Sequence, residues 1–484
     1  MGLRTGKEYV ESLRDGRKLF INGSVVSDVA SYAPFRGAVQ TLAGLYDTQT
    51  DPRYIDTLTQ VGEDGERFST TLLAAQTLEE METRLRCEYL RTDLTYGLMG
   101  RLPDFMAAFV LDTAAALRHM GKTEAADKAD AYLAHLRAND LAVTHTLIDP
   151  QSDRSKAGAP NEAVRVVAEN EDGITVRGAR LLSTLAPLAN EIFVGPYVPR
   201  RPGEEDFALI FSIPAATEGL KIVCREPYDL GRAEFDRPLS GRFDEGDAIL
   251  IFDDVFVPWD RVIVARDLEA YNGVIPNFPG YAGIQGAARS TAKLRFLTGL
   301  AGLLARTNGR AKAPRYQEEI GELVGLLNVA EGLLKGAVVD TYQRVNARAQ
   351  GQDAYRPSGP GEPREQSYVG LASIMFFFPG VLAKAIETVR IVAGSGAIAM
   401  TRADFDHPEL HDLVEKFLHG PDTPAEKRLQ IMKLAWDITG DQFGGRQALY
   451  ERYYTGDPIT NRLIFFGMPK RVEAEDLVSR LLGW

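Results

Sequence analysis

Cysteine is nearly missing: the chain of 484 residues holds two, Cys87 and Cys224. That scarcity excludes a disulfide framework, and no CxxC or Cys/His metal-ligand spacing is present. Positive charge is in deficit, with 55 Lys and Arg against 67 Asp and Glu and a formal net charge of -12. Nucleic acids and anionic membranes both need a positive field, so neither is expected as a partner. A local basic pocket for a phosphate-bearing cofactor is still compatible with that balance. Long apolar runs are also scarce. The most apolar stretch, Ile374 to Ala383, is interrupted by Pro379 and Gly380 and reads as too short to span a membrane. No GxGxxG follows a predicted strand and no Walker-type phosphate loop occurs, which removes the nicotinamide and ATP fingerprints. The N-terminus is charged and lacks the apolar core of a secretory signal, and Gly6 stands where a myristoylation motif needs Ser or Thr. A cytoplasmic location is therefore expected.

What is present is an ordinary globular composition on a chain long enough for about two to four structural units. From about Lys7 to Asp140 the pattern is mainly helical, with Leu72 to Leu98 and the Ala-rich run Asp104 to Arg137 as the strongest helices. Pro103 is placed to start the second. From Val164 to Val264 the texture changes. Two alternating runs flank Glu171-Asp172-Gly173 as a hairpin, and Ile192 to Gly195, Ala208 to Pro214, Leu220 to Cys224 and Ala248 to Val257 read as further strands. Short strands with turns between them predict a small barrel or sandwich. From Tyr281 the helical period returns in three stripes: Leu294, Leu297, Ala301, Leu304; then Ile320, Leu323, Leu327, Ala330, Leu334; then Ile386, Val389, Ala393. Gln350 to Glu365 reads as an exposed connector. The expected class is α+β: a helical domain over 1–141, a β domain over 142–268, and a helical bundle with a tail over 269–484.

One segment concentrates chemistry at the first of these junctions. Leu141 to Arg154 (LAVTHTLIDPQSDR) carries one of only six histidines, together with two threonines, a Gln, an Asp and an Arg, in what reads as a turn-rich stretch. Junctions between differently built layers form pockets, and loops there tend to carry function. His145 is thus a candidate acid–base group. The other five histidines lie on Ala-rich helices or in a polar segment and read as structural.

The helical–β–helical order resembles the acyl-CoA dehydrogenase fold, with Phe252 to Arg261 similar to that superfamily's exit from its β domain. The resemblance narrows on runs in family order from the N-terminus to about Pro458. They include Arg4 to Tyr9, Pro34 to Gly37, Gly100-Arg101 with Pro103-Asp104, Thr144-His145 with Asp149-Pro-Gln and Arg154, and Val176 to Arg180. Further along they include Phe235-Asp with Pro238 to Ser240, Ile251 to Val255, Glu415 to Leu418, and Phe443-Gly with Arg446-Gln and Leu449 to Arg452. On these the chain resembles the large oxygenase component of two-component flavin-dependent phenol hydroxylases, typified by 4-hydroxyphenylacetate 3-monooxygenase. The resemblance implies an N-terminal helical domain, a central β-barrel or sandwich and a C-terminal four-helix bundle. It implies reduced FAD as cofactor and oxygen as co-substrate, a C4a-hydroperoxide on the flavin, and hydroxylation of a phenol ortho to its hydroxyl. Its partners would be a separate NAD(P)H-dependent flavin reductase and three further copies of the chain. The substrate would be a hydroxyphenyl acid, a halophenol, or a tyrosine-like compound, free or carrier-bound.

By the same resemblance Arg101 and His145 are the catalytic pair on the phenol oxygen. Arginine stays charged and stabilises a phenolate, while histidine accepts or relays its proton. Their structural alternatives are a surface ion pair and a satisfied junction histidine. Phe105 replaces the family's tyrosine, whose hydroxyl helps hold that oxygen, and so puts the substrate in question. Tyr197 and Val198 match a substrate-facing pair, with the loop Pro199 to Asp206 as a mobile lid. Flavin contacts are implied for His145, Thr146, Leu147, Gln151, Ser152, Asp153, Arg154, Thr184, Gln442, Phe443, Gly444, Gly445 and Arg446, and the turn Ala393 to Ala397 faces either the adenine half or only a helix end. Two other readings stand beside this one. A 4-hydroxybutyryl-CoA dehydratase-like lyase needs iron–sulfur ligands that two cysteines cannot supply. A non-catalytic flavin-binding homologue is favoured by Phe105 and opposed by Arg101 and His145.

Overall fold

The computed structural model describes residues 2–153, 155, 161–353 and 369–484. The N-terminal region is mainly helical, as expected. Leu78–Leu94 begins at Thr77, whose hydroxyl accepts the Glu80 amide while the Glu80 carboxylate accepts the Thr77 amide. Pro103 occupies the first turn of Pro103–His119. The Ala-rich run is not one helix: it divides at Gly121, whose φ of 73° favours glycine, and resumes as Thr123–Asn139. Four short strands in this region escaped the helical pattern. Leu19–Ile21 and Ser24–Val26 make a hairpin, and Thr59–Val61 pairs with Arg67–Ser69. Three residues are too few to show a period of two. Leu19–Ile21 also runs parallel to Leu220–Cys224, so the N-terminal segment is built into the β region.

That region holds two sheets. The six-stranded one runs, in spatial order, Ser24–Val26, Leu19–Ile21, Leu220–Cys224, Asp247–Pro258, Gly173–Thr184, Arg165–Glu169. The four-stranded one runs Val262–Ala265, Leu209–Pro214, Glu191–Val194, Val143–Thr146. Along Asp247–Pro258, Ala248, Leu250, Phe252, Val255 and Val257 are buried, while Ile249, Ile251 and Phe256 face out. The extra residue at Asp253-Asp254 is a bulge that resets this alternation. The hairpin at Glu171-Asp172-Gly173 forms, with Asn170 Oδ1 accepting the amides of Asp172 and Gly173. The sheets touch through Phe211 and Phe252, whose ring centres are 6.1 Å apart. One expectation changes here. Val143–Thr146 is a buried strand, parallel to Glu191–Val194, and not a turn. Its residues Val-Thr-His-Thr fit a strand buried on both faces.

The helix Tyr281–Thr307 lies at the centre of the helical layer, packed against Pro314–Ala349, Phe378–Ala393, Leu78–Leu94 and Pro103–His119. The stripe Leu294, Leu297, Ala301, Leu304 is fully buried on it. Asp112 accepts the amides of Gly280, Tyr281 and Ala282, capping this helix from a neighbouring one. Burial pushes the Asp112 carboxyl up to about 6, and those three amides limit the rise. The apolar stretch around Pro379 is longer than the sequence suggested. Val369–Phe405 is long and apolar enough, by length and composition, to cross a membrane. Pro379 follows just after the π-helical turn Ser373–Phe377 inside this helical run, and Leu382, Ala385, Ile386 and Val389 beyond it are in the protein core. The predicted connector begins where Pro314–Ala349 ends, and 354–368 lie outside the described residues.

Candidate active site

Arg101 and His145 come together although 44 positions separate them. Arg101 leads into Pro103–His119, His145 lies on Val143–Thr146, and both are buried. The Arg101 Nε donates to His145 Nε2 at 2.6 Å. That bond makes Nε2 the acceptor, so the neutral ring carries its proton on Nδ1, which is buried and has no partner among the described residues. Burial, then the Arg101 charge, holds the imidazole well below its ordinary pKa. His145 is therefore neutral near pH 7 in the resting protein. The guanidinium lies 4.3 Å from the Phe105 ring centre, 4.4 Å from Tyr454 and 5.4 Å from Tyr450. Phe105 also packs beside His145, their centres 5.6 Å apart. Gly100 permits this box, because a Cβ there would fall 2.0 Å from the Tyr450 hydroxyl oxygen.

A buried acidic turn holds the arginine's backbone. Glu245 Oε1 accepts the amides of Gly100 and Arg101, at 2.7 and 2.8 Å, and Oε2 accepts from Arg446 Nη1 at 3.2 Å. Burial raises the Glu245 carboxyl, and the Arg446 charge and the Arg101 amide oppose the rise. Arg446 continues to Asp247, and Thr184 Oγ1 donates to the same carboxylate at 2.7 Å. Burial alone would raise Asp247, but the charges and hydrogen bonds of Arg446, with Arg225 and Thr184, hold it far below the usual carboxylate range. The Thr144 hydroxyl donates to the Thr184 carbonyl, which returns the chain of contacts to the His145 strand. Arg101, Phe105, His145, Thr184 and Arg446 thus form one buried constellation. The Arg446 guanidinium, expected to contact the flavin, already engages two carboxylates.

Other predicted residues fall nearby or apart. Thr146 and Leu147 are buried beside His145, and the Leu147 carbonyl accepts from Arg180. Phe443 and Gly444 are buried, whereas Gln442 and Gly445 are exposed on the same helix, Gln442–Arg452. Gln151, Ser152 and Asp153 are exposed, with Ser152 donating to Glu162 and Asp153 accepting from Ser155; Arg154 lies outside the described residues. Tyr197 is half-buried and donates to the Thr455 carbonyl, next to Tyr454, while Val198 is exposed. Gly394, Ser395 and Gly396 are exposed on the single chain. The expected lid is pinned at its base: Arg200 is 3% exposed and pairs with Asp149, which also holds Arg180. Only the tip beyond Arg200 is an exposed charged loop.

Sequence reasoning missed Glu245, Asp247, Tyr450 and Tyr454. A run with acids at 244, 245 and 247 resembles a solvated loop, and nothing local marks it as buried. The tyrosines carried a readable signal, since Arg446, Tyr450 and Tyr454 recur every four residues, one face of a helix.

The residues fit a flavin. Thr146 Oγ1, Ser183 Oγ and His145 Nδ1 are buried on adjoining segments without partners among the described residues, and an isoalloxazine edge offers the donors and acceptors they lack. The two cysteines are buried on separate elements, and burial pushes both thiols up, so neither is a reactive thiolate or metal ligand.

Similarity to known proteins narrows this picture in two steps. The fold is that of the acyl-CoA dehydrogenases. The glutaryl-coenzyme A dehydrogenase glutaryl-CoA complex superposes with a TM-score of 0.50 at 10% identity, covering 95% of this chain and 92% of that one. An archaeal 4-hydroxybutyryl-CoA dehydratase from N. maritimus reaches 0.85 at 19% identity, over 99% and 95%, which is a likeness of fold alone. Residues 5–264 match the family described as 4-hydroxyphenylacetate 3-hydroxylase N terminal, and 276–483 match the corresponding C terminal family. The chain belongs to the 4-hydroxyphenylacetate 3-hydroxylase family. The 4-hydroxyphenylacetate 3-monooxygenase oxygenase component of Thermus thermophilus is 36% identical over 464 residues, 94% of this chain and 92% of that one. The crystal structure of an oxygenase component (HpaB) of 4-hydroxyphenylacetate 3-monooxygenase, complexed with FAD and 4-hydroxyphenylacetate, has a TM-score of 0.87 at 33% identity and covers 99% of each chain.

Proposed function

We propose that the chain is the oxygenase of a two-component phenol hydroxylase, taking reduced FAD from a separate NAD(P)H-dependent flavin reductase. The reaction is phenol plus FADH2 plus O2 to catechol plus FAD plus water, with the new hydroxyl ortho to the old one. The observation that carries this reading is the buried pair of one permanent cation and one neutral imidazole, Arg101 and His145, inside an aromatic box. Bound flavin supplies the activated oxygen. The protein's own residues bind the phenol, set its protonation and exclude water. Arg101 is the charged donor to the phenol oxygen and favours the phenolate. A substrate that draws the guanidinium onto itself frees His145 Nε2, the ring's basic lone pair, to take the phenolic proton. Phe105 is a wall of that pocket, and Tyr197 and Val198 line its outer side. For the flavin ring the proposed contacts are His145, Thr146, Leu147, Thr184, Phe443, Gly444 and Arg446. The exposed set Gln151, Ser152, Asp153, Arg154, Gln442 and Gly445 would serve its phosphates and adenine.

The proposed layout is a helical domain over 1–141, a β-barrel or sandwich over 142–268 and a four-helix bundle with a tail over 269–484, in a cytoplasmic homotetramer. The tail supports the last point. Pro458–Phe466 and Pro469–Leu482 leave Ile459, Leu463, Phe466, Leu477, Leu481 and Trp484 more than 60% exposed, and a second copy is the partner that buries such a face. Sedimentation of the intact protein as a monomer would refute it.

The reaction is tested by mixing anaerobically reduced FAD with the protein, isotope-labelled oxygen and a panel of phenols that includes free and carrier-tethered tyrosine. One labelled oxygen atom in a catechol is expected. Hydrogen peroxide alone with every phenol would favour a non-catalytic flavin-binding protein. Arg101→Ala and His145→Ala are each expected to retain FAD while diverting turnover to peroxide, and full coupling in both would refute the site.

A further inference from the structure

Two of the three rings around Arg101 are tyrosines, and their hydroxyls are buried without a hydrogen-bond partner among the described residues. Tyr454 lies between two guanidiniums, Arg101 at 4.4 Å and Arg289 at 4.5 Å from its ring centre. Arg289 is itself fixed by two hydrogen bonds to Glu451, at 2.7 and 2.8 Å, so one side of this sandwich is rigid. The neighbouring Thr455 carbonyl is tied to the Tyr197 hydroxyl. Phe105 meets Tyr454 edge-on, ring centres 6.4 Å apart. The pocket therefore has a phenylalanine where the family's resemblance calls for a hydroxyl, and an unused hydroxyl on the ring beside it. Tyr450 is the weaker candidate, because its ring stacks on Arg446 at 4.2 Å and its hydroxyl abuts Gly100. A buried hydroxyl left unpaired is unfavourable, and its retention in a binding box points to a ligand.

We infer that the Tyr454 hydroxyl donates to the phenolic oxygen of the substrate, in place of the hydroxyl absent from Phe105, and so helps select phenols. This rests on Arg101 and His145 being the groups that meet that oxygen. A donor contributed from the helix end after Arg452, and not from position 105, approaches the same oxygen from another wall.

The probe is 4-nitrophenol bound to the FAD-loaded protein, its phenolate read by visible absorbance across a pH series. Tyr454→Phe keeps the ring between the two guanidiniums and is expected to keep FAD. It should weaken phenolate binding about tenfold, the loss of one hydrogen bond to a charged acceptor, and raise the pH at which the bound phenol ionises. Adding Phe105→Tyr to Tyr454→Phe should restore most of both, while Tyr450→Phe alone should stay within about twofold of the parent on the same scale. A second arm does not depend on how Tyr454→Phe folds. Phe105→Tyr alone should tighten binding by less than about threefold, because the oxygen's donors are already in place. Unchanged binding and ionisation in Tyr454→Phe, or a full tenfold gain in Phe105→Tyr, overturns the inference. Arg101→Ala separates the two levels: if it too leaves 4-nitrophenol binding unchanged, the site itself is misassigned, and if it weakens binding while Tyr454→Phe does not, only Tyr454 is.

Discussion

Glu245→Ala is the perturbation that tests the constellation most directly. Glu245 is 1% exposed and serves three donors at once: the amides of Gly100 and Arg101 and one arm of Arg446. Removing the carboxylate orphans two buried amides, at about 1–3 kcal/mol each, and cuts a buried ion pair whose loss costs about 3–5 kcal/mol. These terms overlap, since Arg446 keeps its two bonds to Asp247 and the freed space admits water. A net loss of about 3–5 kcal/mol is expected, a large share of the roughly 5–15 kcal/mol that holds a typical protein folded. Glu245→Gln should lose less, about 1–3 kcal/mol, because its amide oxygen still accepts from the two backbone groups while its NH2 faces the Arg446 donors. Urea denaturation read by tryptophan fluorescence measures the stability. The ratio of catechol to peroxide measures the position of Arg101. Both variants should uncouple more than they lose FAD affinity, since the backbone that aims Arg101 moves while Thr146 and Thr184, the threonines proposed to face the flavin, make no hydrogen bond with Glu245. An alanine variant within about 0.5 kcal/mol of the parent would refute the energetic argument. One that is destabilised yet fully coupled would refute the link from Glu245 to Arg101.

Two further outcomes follow from the same geometry. His145 is held neutral by burial and by Arg101, so its folded pKa lies below the unfolded value of about 6.5. Its contribution to stability is fully present above about pH 6.5 and is lost as pH falls, by up to about 1.4 kcal/mol per unit, until the folded pKa is reached. Melting of the parent should therefore drop more steeply than that of His145→Gln between about pH 7 and 5, and parallel curves would refute the assignment. Asp149→Asn removes the charge that holds the buried guanidiniums of Arg180 and Arg200, a loss of about 3–5 kcal/mol. Amide exchange in 199–206 should quicken with it, and unchanged exchange would show that Arg200 does not anchor the loop.

The sequence made the layers legible because long periodic segments dominate them. The stripe on Tyr281–Thr307 and the strands Leu220–Cys224 and Asp247–Pro258 are where their patterns put them. Elements shorter than their own period were not legible, as the three-residue strands near the N-terminus show. His145 and Arg101 were legible as candidates, through residue type and motif, and their contact was not, since it is made by folding a strand against a helix entrance. The threonines and histidine of Val143–Thr146 give it the polarity of a turn, yet it is a strand with all four residues buried. Their polarity is used inside: the Thr144 hydroxyl on the Thr184 carbonyl, the His145 ring on Arg101. Buried charge was the least legible property. Glu245, Asp247, Arg446 and Glu451 look like surface residues in composition, and only neutralisation by partners about 150 to 200 positions away lets them sit in the interior.

That same long-range pairing decides how a lost functional group is judged. Position 105 read alone suggests a weakened site, since a hydroxyl donor is gone. Yet the ring that faces Phe105 comes from position 454 and carries a hydroxyl with no hydrogen-bond partner among the described residues. The proposed substrate contacts come from the entrance of one helix, the middle of a strand and the far end of another helix, all meeting at one guanidinium. A donor lost from one wall is replaceable from another without disturbing Arg101, provided Glu245 still fixes the arginine's backbone and Arg289 still fixes the tyrosine's ring. The binding function is thus a property of the box and not of any one motif. On the proposed site, substitution at 105 alters the direction from which the phenol oxygen is held, and with it the ring substituents that fit, while the proposed catalytic cation and imidazole stay in place.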